Sequence, residues 1–143
     1  EKGVTVATAE SCTGGEIAHL LTSVPGSSDY FKGSVVAYAN EVKVNVLGVN
    51  PADIEREGVV SEPVVLQMAE GVRRVMGTDY AVATSGVAGP AGGTPEKPVG
   101  TVWIGVATPR GCFARKYVFS FTRERNIAKA AAKALELLSM EMV

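Results

Sequence analysis

The stretch AESCTGG, residues 9–15, places two hydroxyls, a thiol and two glycines directly after the apolar run VTVATA. Where a buried strand turns sharply into a helix, the first N–H groups of the helix are unpaired and the helix dipole adds partial positive charge. Such a helix start attracts a phosphate, or the oxyanion formed when a hydroxyl attacks a carbonyl. Ser11 and Thr13 would supply hydroxyls, and Gly14 and Gly15 would let the backbone approach the anion. The alternative is that Ser11 or Thr13 only caps the helix.

A serine nucleophile needs a base, and the chain has a single histidine with which to build a Ser-His-Asp triad. His19 lies about two turns along the predicted helix from Cys12, so we expect Cys12 to be a buried small side chain and no triad to form. The stretch YANEVK offers other bases, with Tyr38 at the end of a predicted strand and Lys43 in the first turn of the next helix. Lys43 can accept a proton only where burial lowers its pKa from about 10.4, and an ordinary solvated lysine is the alternative.

A second candidate site is the loop SGVAGPAGGTPEKPVGT, residues 85–101, which is rich in glycine and proline. A rigid backbone that a ligand can approach closely suits contact with a phosphate or a ribose. The loop matches neither a Walker A sequence nor G-x-G-x-x-G, and a long surface loop without function is the alternative. The later stretch FTRERN supplies Arg123 and Arg125 at a predicted helix start, where the dipole disfavours arginine. Either an anionic ligand or a surface salt bridge would explain one of them.

Composition restricts the class of protein. A chain of 143 residues with 46% hydrophobic and 20% charged residues predicts one domain over 1–143. Lys and Arg number 14 against 15 acids, so no global field would attract nucleic acid or an anionic membrane. Two distant cysteines and one histidine argue against a metal site or a disulfide scaffold. The sequence has no membrane-spanning run or secretory signal, which favours the cytoplasm.

Hydrophobic patterning predicts the elements that must position these residues. Strands are predicted over 4–9 and 34–38, at the start of DYAVATSG, and in a hairpin of VGTVWIGVAT and FARKYVFSF. Helices are predicted after TGG, over NEVKVNVLGV with Asn40 as N-cap and Gly48 as the stop, over 61–77 with Ser61 as N-cap, and after a Thr122 cap. This order predicts a single-domain, three-layer α/β/α fold with a mixed parallel and antiparallel sheet.

Several of these motifs are found together in one known family. TAESCTGG, VVAYANEVK, LGV, GVVSEPV, SGVAGPAGGTPEKPVGTVW and FTRER resemble the CinA C-terminal domain family, the nicotinamide mononucleotide amidohydrolases. The resemblance covers essentially the whole chain in the same order. It implies hydrolysis of the carboxamide of nicotinamide mononucleotide to the acid mononucleotide and ammonia, without a metal or other cofactor, in bacterial pyridine-nucleotide salvage.

The resemblance also implies roles for individual residues. Ser11 is the implied nucleophile, and Tyr38 and Lys43 are its acid-base partners. The family's late arginine falls on Arg123, although the preceding Gly-Asp pair of the family is absent here and Arg125 could serve instead. Combined with the analysis of the two loops, the predicted substrate-binding residues are Thr13, Gly14, Gly15, Ser85, Gly86, Gly89 and Arg123.

The expected partner is a small nucleotide substrate, with neither nucleic acid nor membrane, in a homodimer or higher homo-oligomer. Members of the family usually begin with a helix before VTVATAE, so we also expect that this chain lacks an N-terminal element. The alternative function is a non-catalytic domain of a longer protein that senses a nucleotide, or whose glycine loop shapes an interface.

Overall fold

The computed structural model describes residues 3–142, in which a five-stranded sheet lies between two layers of helices. The strands are β1 (Val6–Glu10), β2 (Phe31–Val36), β3 (Tyr80–Gly86), β4 (Thr101–Thr108) and β5 (Gly111–Val118). The helices are α1 (Glu16–Thr22), α2 (Asn40–Asn45), α3 (Pro51–Glu57), α4 (Glu62–Met76) and α5 (Arg123–Glu141). The predicted α/β fold with a mixed sheet is therefore confirmed.

The sheet has the strand order β2-β1-β3-β4-β5. Strand β1 is parallel to both β2 and β3, whereas β4 is antiparallel to β3 and β5. Every residue of β1 is buried, as expected for a central strand covered on both faces. Because the chain leaves β1 for β2 on one side and β3 lies on the other, a crevice opens at the carboxyl ends of these strands.

Two apolar cores hold the layers together, one on each face of the sheet. The core on the α4 side includes Ala7, Ala9, Leu47, Val64, Met68, Val72 and Ala81. The core on the α1 and α5 side includes Val6, Ile17, Val82, Ile104, Ala130, Ala134 and Leu138. Among the described residues, none of the helices is both long enough and apolar enough to cross a membrane.

The helix caps differ in part from the prediction. Thr122 caps α5 as predicted, since its hydroxyl accepts a hydrogen bond from the Arg125 N–H. Ser61 stands at the predicted N-cap position of α4, but its hydroxyl donates to the Gly58 carbonyl at 2.7 Å instead. The prediction of Asn40 as the cap of α2 is wrong, because Ala39 has the extended backbone of the cap residue and Asn40 is the first helical residue.

The sequence reading missed α3. The helix has a recognisable start, in which the Asn50 side chain accepts a hydrogen bond from the Ala52 N–H and Pro51 occupies the first turn. The residues NPAD are typical of a helix start, but the helix that follows is short and has no buried residue, so it shows no hydrophobic periodicity. Helix α3 is fastened to α4 by Gln67, which accepts from the Asn50 N–H and donates to Asp53.

Gly71 in the middle of α4 provides a test of this packing. A Cβ atom at Gly71 would lie 1.9 Å from the Leu47 carbonyl oxygen. We expect Gly71→Ala to lower the free energy of unfolding by about 1–3 kcal/mol, because overpacking outweighs the gain in helix propensity of about 1 kcal/mol. Urea unfolding measures the change, and Val75→Ala on the exposed side of α4 should stay within about 0.5 kcal/mol. A Gly71→Ala protein as stable as the wild type would contradict this close approach.

Candidate active site

A cavity of about 350 Å³ opens at the carboxyl ends of the parallel strands. It brings together the three predicted catalytic residues, Ser11, Tyr38 and Lys43. Its remaining lining residues are Cys12, Asn40, Val59, Val60, Gly86, Val87, Ala88, Gly89, Ala91, Gly92 and Arg123. The loops that follow β1, β2 and β3 thus each contribute to one site.

Ser11 is the first residue after β1 and is held by its backbone. Its N–H donates to the Thr84 carbonyl at 3.1 Å, and its carbonyl accepts from the Gly14 N–H at 3.1 Å. Its hydroxyl makes no hydrogen bond with any residue in 3–142, although Ser11 is only 8% exposed. The hydroxyl is therefore available to a ligand in the cavity.

Lys43 places its side chain inside the protein. It is 1% exposed, and its Nζ donates to the Ala37 carbonyl at 2.8 Å and to the Tyr38 carbonyl at 3.4 Å. It forms no ion pair within the part of the chain that the structure describes. Burial lowers the pKa of Lys43, because the charged ammonium loses hydration inside the protein. An amine in this environment loses its proton at a lower pH than a solvated lysine.

Cys12 and His19 are the other residues whose types could supply a nucleophile or a base. Burial raises the pKa of Cys12 to about 12, so its sulfur is a protonated thiol near neutral pH. His19 lies on the exposed side of α1 and does not line the cavity. The expectation that neither residue drives the chemistry is consistent with these positions.

Tyr38 and Arg123 face each other at the mouth of the cavity. Tyr38 is 64% exposed, and its hydroxyl accepts a hydrogen bond from Arg123 Nη2 at 3.3 Å. Arg123 Nη1 donates to the Gly89 carbonyl at 2.7 Å. Arg125 instead lies over the Phe121 ring, 4.8 Å from its centroid, and does not line the cavity. Of the two candidate arginines, the geometry therefore places Arg123 at the site.

The start of α1 already holds an anion, which the sequence analysis did not foresee. The Glu10 carboxylate is fully buried and accepts hydrogen bonds from the N–H groups of Gly15 at 3.1 Å, Ile17 at 3.0 Å and Ala18 at 2.8 Å. These are the groups that would have been unpaired. The chain thus supplies its own counter-ion for the helix dipole.

Three predicted substrate-binding residues consequently lie outside the cavity lining. The Thr13 hydroxyl is buried between Glu10 Oε1 at 2.7 Å and Thr84 Oγ1 at 2.8 Å. Gly14 and Gly15 have φ angles of 61° and 107°, which allow the turn into α1. These residues therefore shape the loop that carries Ser11 and do not line the cavity.

The glycine-proline loop forms one wall of the cavity, but its first residue points elsewhere. Ser85 is fully buried, and its hydroxyl donates to the Val59 carbonyl at 2.8 Å. Gly86 and Gly89 do line the cavity. A Cβ atom would lie 2.5 Å from the Thr101 carbonyl oxygen at Gly86 and 2.3 Å from Val99 Cγ1 at Gly89. Close packing behind the loop therefore requires glycine at both positions.

The comparison with known proteins decides the family. A model described as the CinA C-terminal domain matches residues 1–142. The chain belongs to the CinA C-terminal domain family.

Two curated relatives support this assignment. The chain is 58% identical over 97% of its length to the CinA-like protein of Desulfosudis oleivorans, of which it covers 34%. It is 51% identical over its whole length to the CinA-like protein of Thermosynechococcus vestitus, of which it covers 35%. The chain thus spans about a third of the length of these relatives.

Solved structures of the CinA superfamily have the same fold. Competence damage-inducible protein A of Klebsiella pneumoniae superposes with a TM-score of 0.94 at 35% identity, over 99% of this chain and 88% of that chain. The competence/damage inducible protein CihA of Agrobacterium tumefaciens gives a TM-score of 0.95 at 38% identity, over 97% and 86%.

The sequence analysis did not predict two polar residues at the site of this CinA C-terminal domain, Asn40 and Glu10. Asn40 was assigned to helix capping, but its side chain lines the cavity because the cap position falls on Ala39. Glu10 lies within AESCTGG, but the sequence analysis predicts no role for it. A signal existed for Glu10, since an acid shortly before a helix start complements the dipole.

Removal of the Glu10 carboxylate should be costly. Glu10→Ala leaves three backbone N–H groups without their partner, so we expect the free energy of unfolding to fall by about 3 kcal/mol or more. Denaturant unfolding measures the loss. Glu41→Ala is the matched control, because Glu41 is exposed in the first turn of α2 and its loss should cost about 1 kcal/mol or less. Equal losses in the two variants would show that Glu10 does not hold the helix start.

Proposed function

We propose that this domain hydrolyses the carboxamide of nicotinamide mononucleotide to nicotinic acid mononucleotide and ammonia, with Ser11 as nucleophile. One observation carries the proposal. Lys43, which is buried and forms no ion pair with any described residue, lines the same cavity as Ser11, whose hydroxyl has no partner among the described residues. A hydroxyl and a neutral amine are the two groups needed for acyl transfer without histidine.

In the proposed first step, neutral Lys43 takes the Ser11 proton while the oxygen attacks the amide carbon. The C–N bond then breaks, and Tyr38 relays the proton to the leaving nitrogen, which departs as ammonia. Water attacks the resulting ester on Ser11, which releases the carboxylic acid and restores the serine.

The oxyanion of each step needs donors close to Ser11. The N–H groups of Gly14 and Gly15 are already bonded within the loop. Cys12 lines the cavity, and its N–H has no backbone acceptor among the described residues. We therefore propose that Cys12 supplies the donor to the oxyanion.

The phosphate of the substrate also needs a cation, and the proposed cation is Arg123. Its guanidinium now contacts the Gly89 carbonyl and the Tyr38 hydroxyl at the cavity mouth. On binding a phosphate, the guanidinium would exchange a neutral acceptor for a charged one, which strengthens the hydrogen bond. Such an exchange would also free the Tyr38 hydroxyl for proton transfer.

An ammonia-release assay on nicotinamide mononucleotide tests the nucleophile. We expect Ser11→Ala to lower kcat by about 10³-fold or more, because the proposed ester intermediate forms on the Ser11 hydroxyl. Ser28→Ala, on an exposed turn, should retain full activity. If wild-type protein binds the nucleotide but releases no ammonia, the domain is a nucleotide sensor and the proposed amidase activity is wrong.

The pH dependence tests the base. Below its lowered pKa, Lys43 carries a proton and cannot accept another, so kcat/KM should rise as the pH rises through that value. The rate should reach its plateau before pH ~10.4, the pKa of a solvated lysine. Lys43→Arg should lose about 10²-fold or more at every pH, because arginine stays protonated. Lys32→Arg on the exposed side of β2 should keep the wild-type profile. A Lys43→Arg enzyme with more than about a tenth of the wild-type rate would rule out this base.

A further inference from the structure

A second polar surface lies between β5 and α5, away from the cavity. We call it the β5–α5 basic surface, and it consists of Phe113, Arg115, Tyr117, Phe119, Phe121, Arg125, Lys129 and Lys133. None of these residues lines the candidate active site. Strand β5 pairs only with β4 among the described residues, so its other edge carries unpaired backbone donors and acceptors.

Aromatic rings hold the cations of this surface in place. Arg115 lies 4.7 Å from the centroid of the Phe113 ring, and Lys133 lies 5.5 Å from that of Tyr117. Arg125 and Lys129 lie 4.8 Å and 5.4 Å from the centroid of Phe121. Each cation thus has a favourable ring contact that limits its motion. A partner that binds these cations would lose less side-chain entropy than one that must order free lysines.

The surface has an excess of positive charge. Of its four cations, only Lys133 forms an ion pair within residues 3–142, with Glu136 at 2.9 Å. The chain as a whole carries 15 acids against 14 lysines and arginines, so this excess is local. An anionic partner is the chemistry that would compensate it.

The free edge of β5 favours one shape of partner. Arg115 and Lys116 lie next to each other on this strand and are exposed. Two copies of β5 paired edge to edge would bring these like charges together, which is unfavourable. An extended segment with carboxylates at alternate positions would instead hydrogen-bond to the free backbone groups of β5 and place its carboxylates on the face that carries Arg115.

We infer that the β5–α5 basic surface binds an extended acidic peptide segment, which adds to β5 as a sixth strand. Its carboxylates would contact Arg115 and Lys133, since an added strand lies about 4.8 Å beyond β5. A single-stranded nucleic acid fits less well, because the ring faces on which bases would stack are already covered by cations. The inference does not depend on the proposed amidase activity.

The test uses the isotope-labelled domain and a synthetic peptide of about eight residues that alternates Val and Glu. In amide NMR spectra we expect peptide-induced shifts to concentrate along β5, and slower hydrogen exchange at its outer N–H groups. The dissociation constant should rise by about 10-fold or more when NaCl is raised from about 50 mM to about 500 mM, because screening weakens the ion pairs. The matching Val and Lys peptide should not bind.

Charge-removal variants complete the test. Arg115→Ser combined with Lys133→Ser should weaken peptide binding by about 10-fold or more, and Lys32→Ser on the opposite edge strand should weaken it by less than about 2-fold. Equal losses in both proteins would show unspecific charge attraction and overturn the inference. So would shifts located away from β5, tighter binding of an oligo-dT of the same length, or self-association through β5 without peptide.

Discussion

The carboxylate of Glu10 is the contact on which the site depends most. It lies at the end of the central strand and bonds to three backbone N–H groups at the start of α1 and to the Thr13 hydroxyl. A charged acceptor for several buried donors is worth more than the same number of neutral hydrogen bonds. These bonds fix the turn that carries Ser11 and also fill the helix start. Any substrate anion must therefore be met elsewhere, and Arg123 across the cavity is the cation in position to do so.

Lys43 is a second buried ionisable residue, and its burial disfavours the charged form. Its buried amine has two backbone carbonyls as partners and no carboxylate among the described residues, so the protonated form is penalised. Because an unfolded chain would keep an ordinary lysine pKa, the folded state binds fewer protons at intermediate pH. The stability that Lys43 costs is therefore recovered as the pH rises through its lowered pKa towards ~10.4. A chain that only needed stability would place an apolar residue here, so the burial is consistent with a chemical role.

The sequence predicted the layers and the sheet type, because the order of strands and helices along the chain follows from hydrophobic patterning. It grouped Ser11, Tyr38 and Lys43 because a serine nucleophile without histidine needs another base, and because the family resemblance implies the same three residues. It could not predict where individual hydroxyls point. Strand alternation turns Ser85 towards the α4 side, where it meets the Val59 carbonyl, while Gly86 reaches the cavity. The cap of α2 shifted by one residue and freed Asn40, an error within the usual uncertainty of helix boundaries. Such details depend on contacts between segments that are distant in the sequence.

Helix α5 connects the cavity with the basic surface, and its periodicity keeps them separate. Successive residues of an α-helix are rotated by about 100°, so Arg123 and Arg125 point to nearly opposite sides. Arg125, Lys129 and Lys133 follow at intervals of four and share one face, which meets β5 and the aromatic residues. Arg123 alone turns to Gly89 and Tyr38. A small anionic substrate and an acidic partner would therefore meet different cations of the same helix, so neither would have to displace the other.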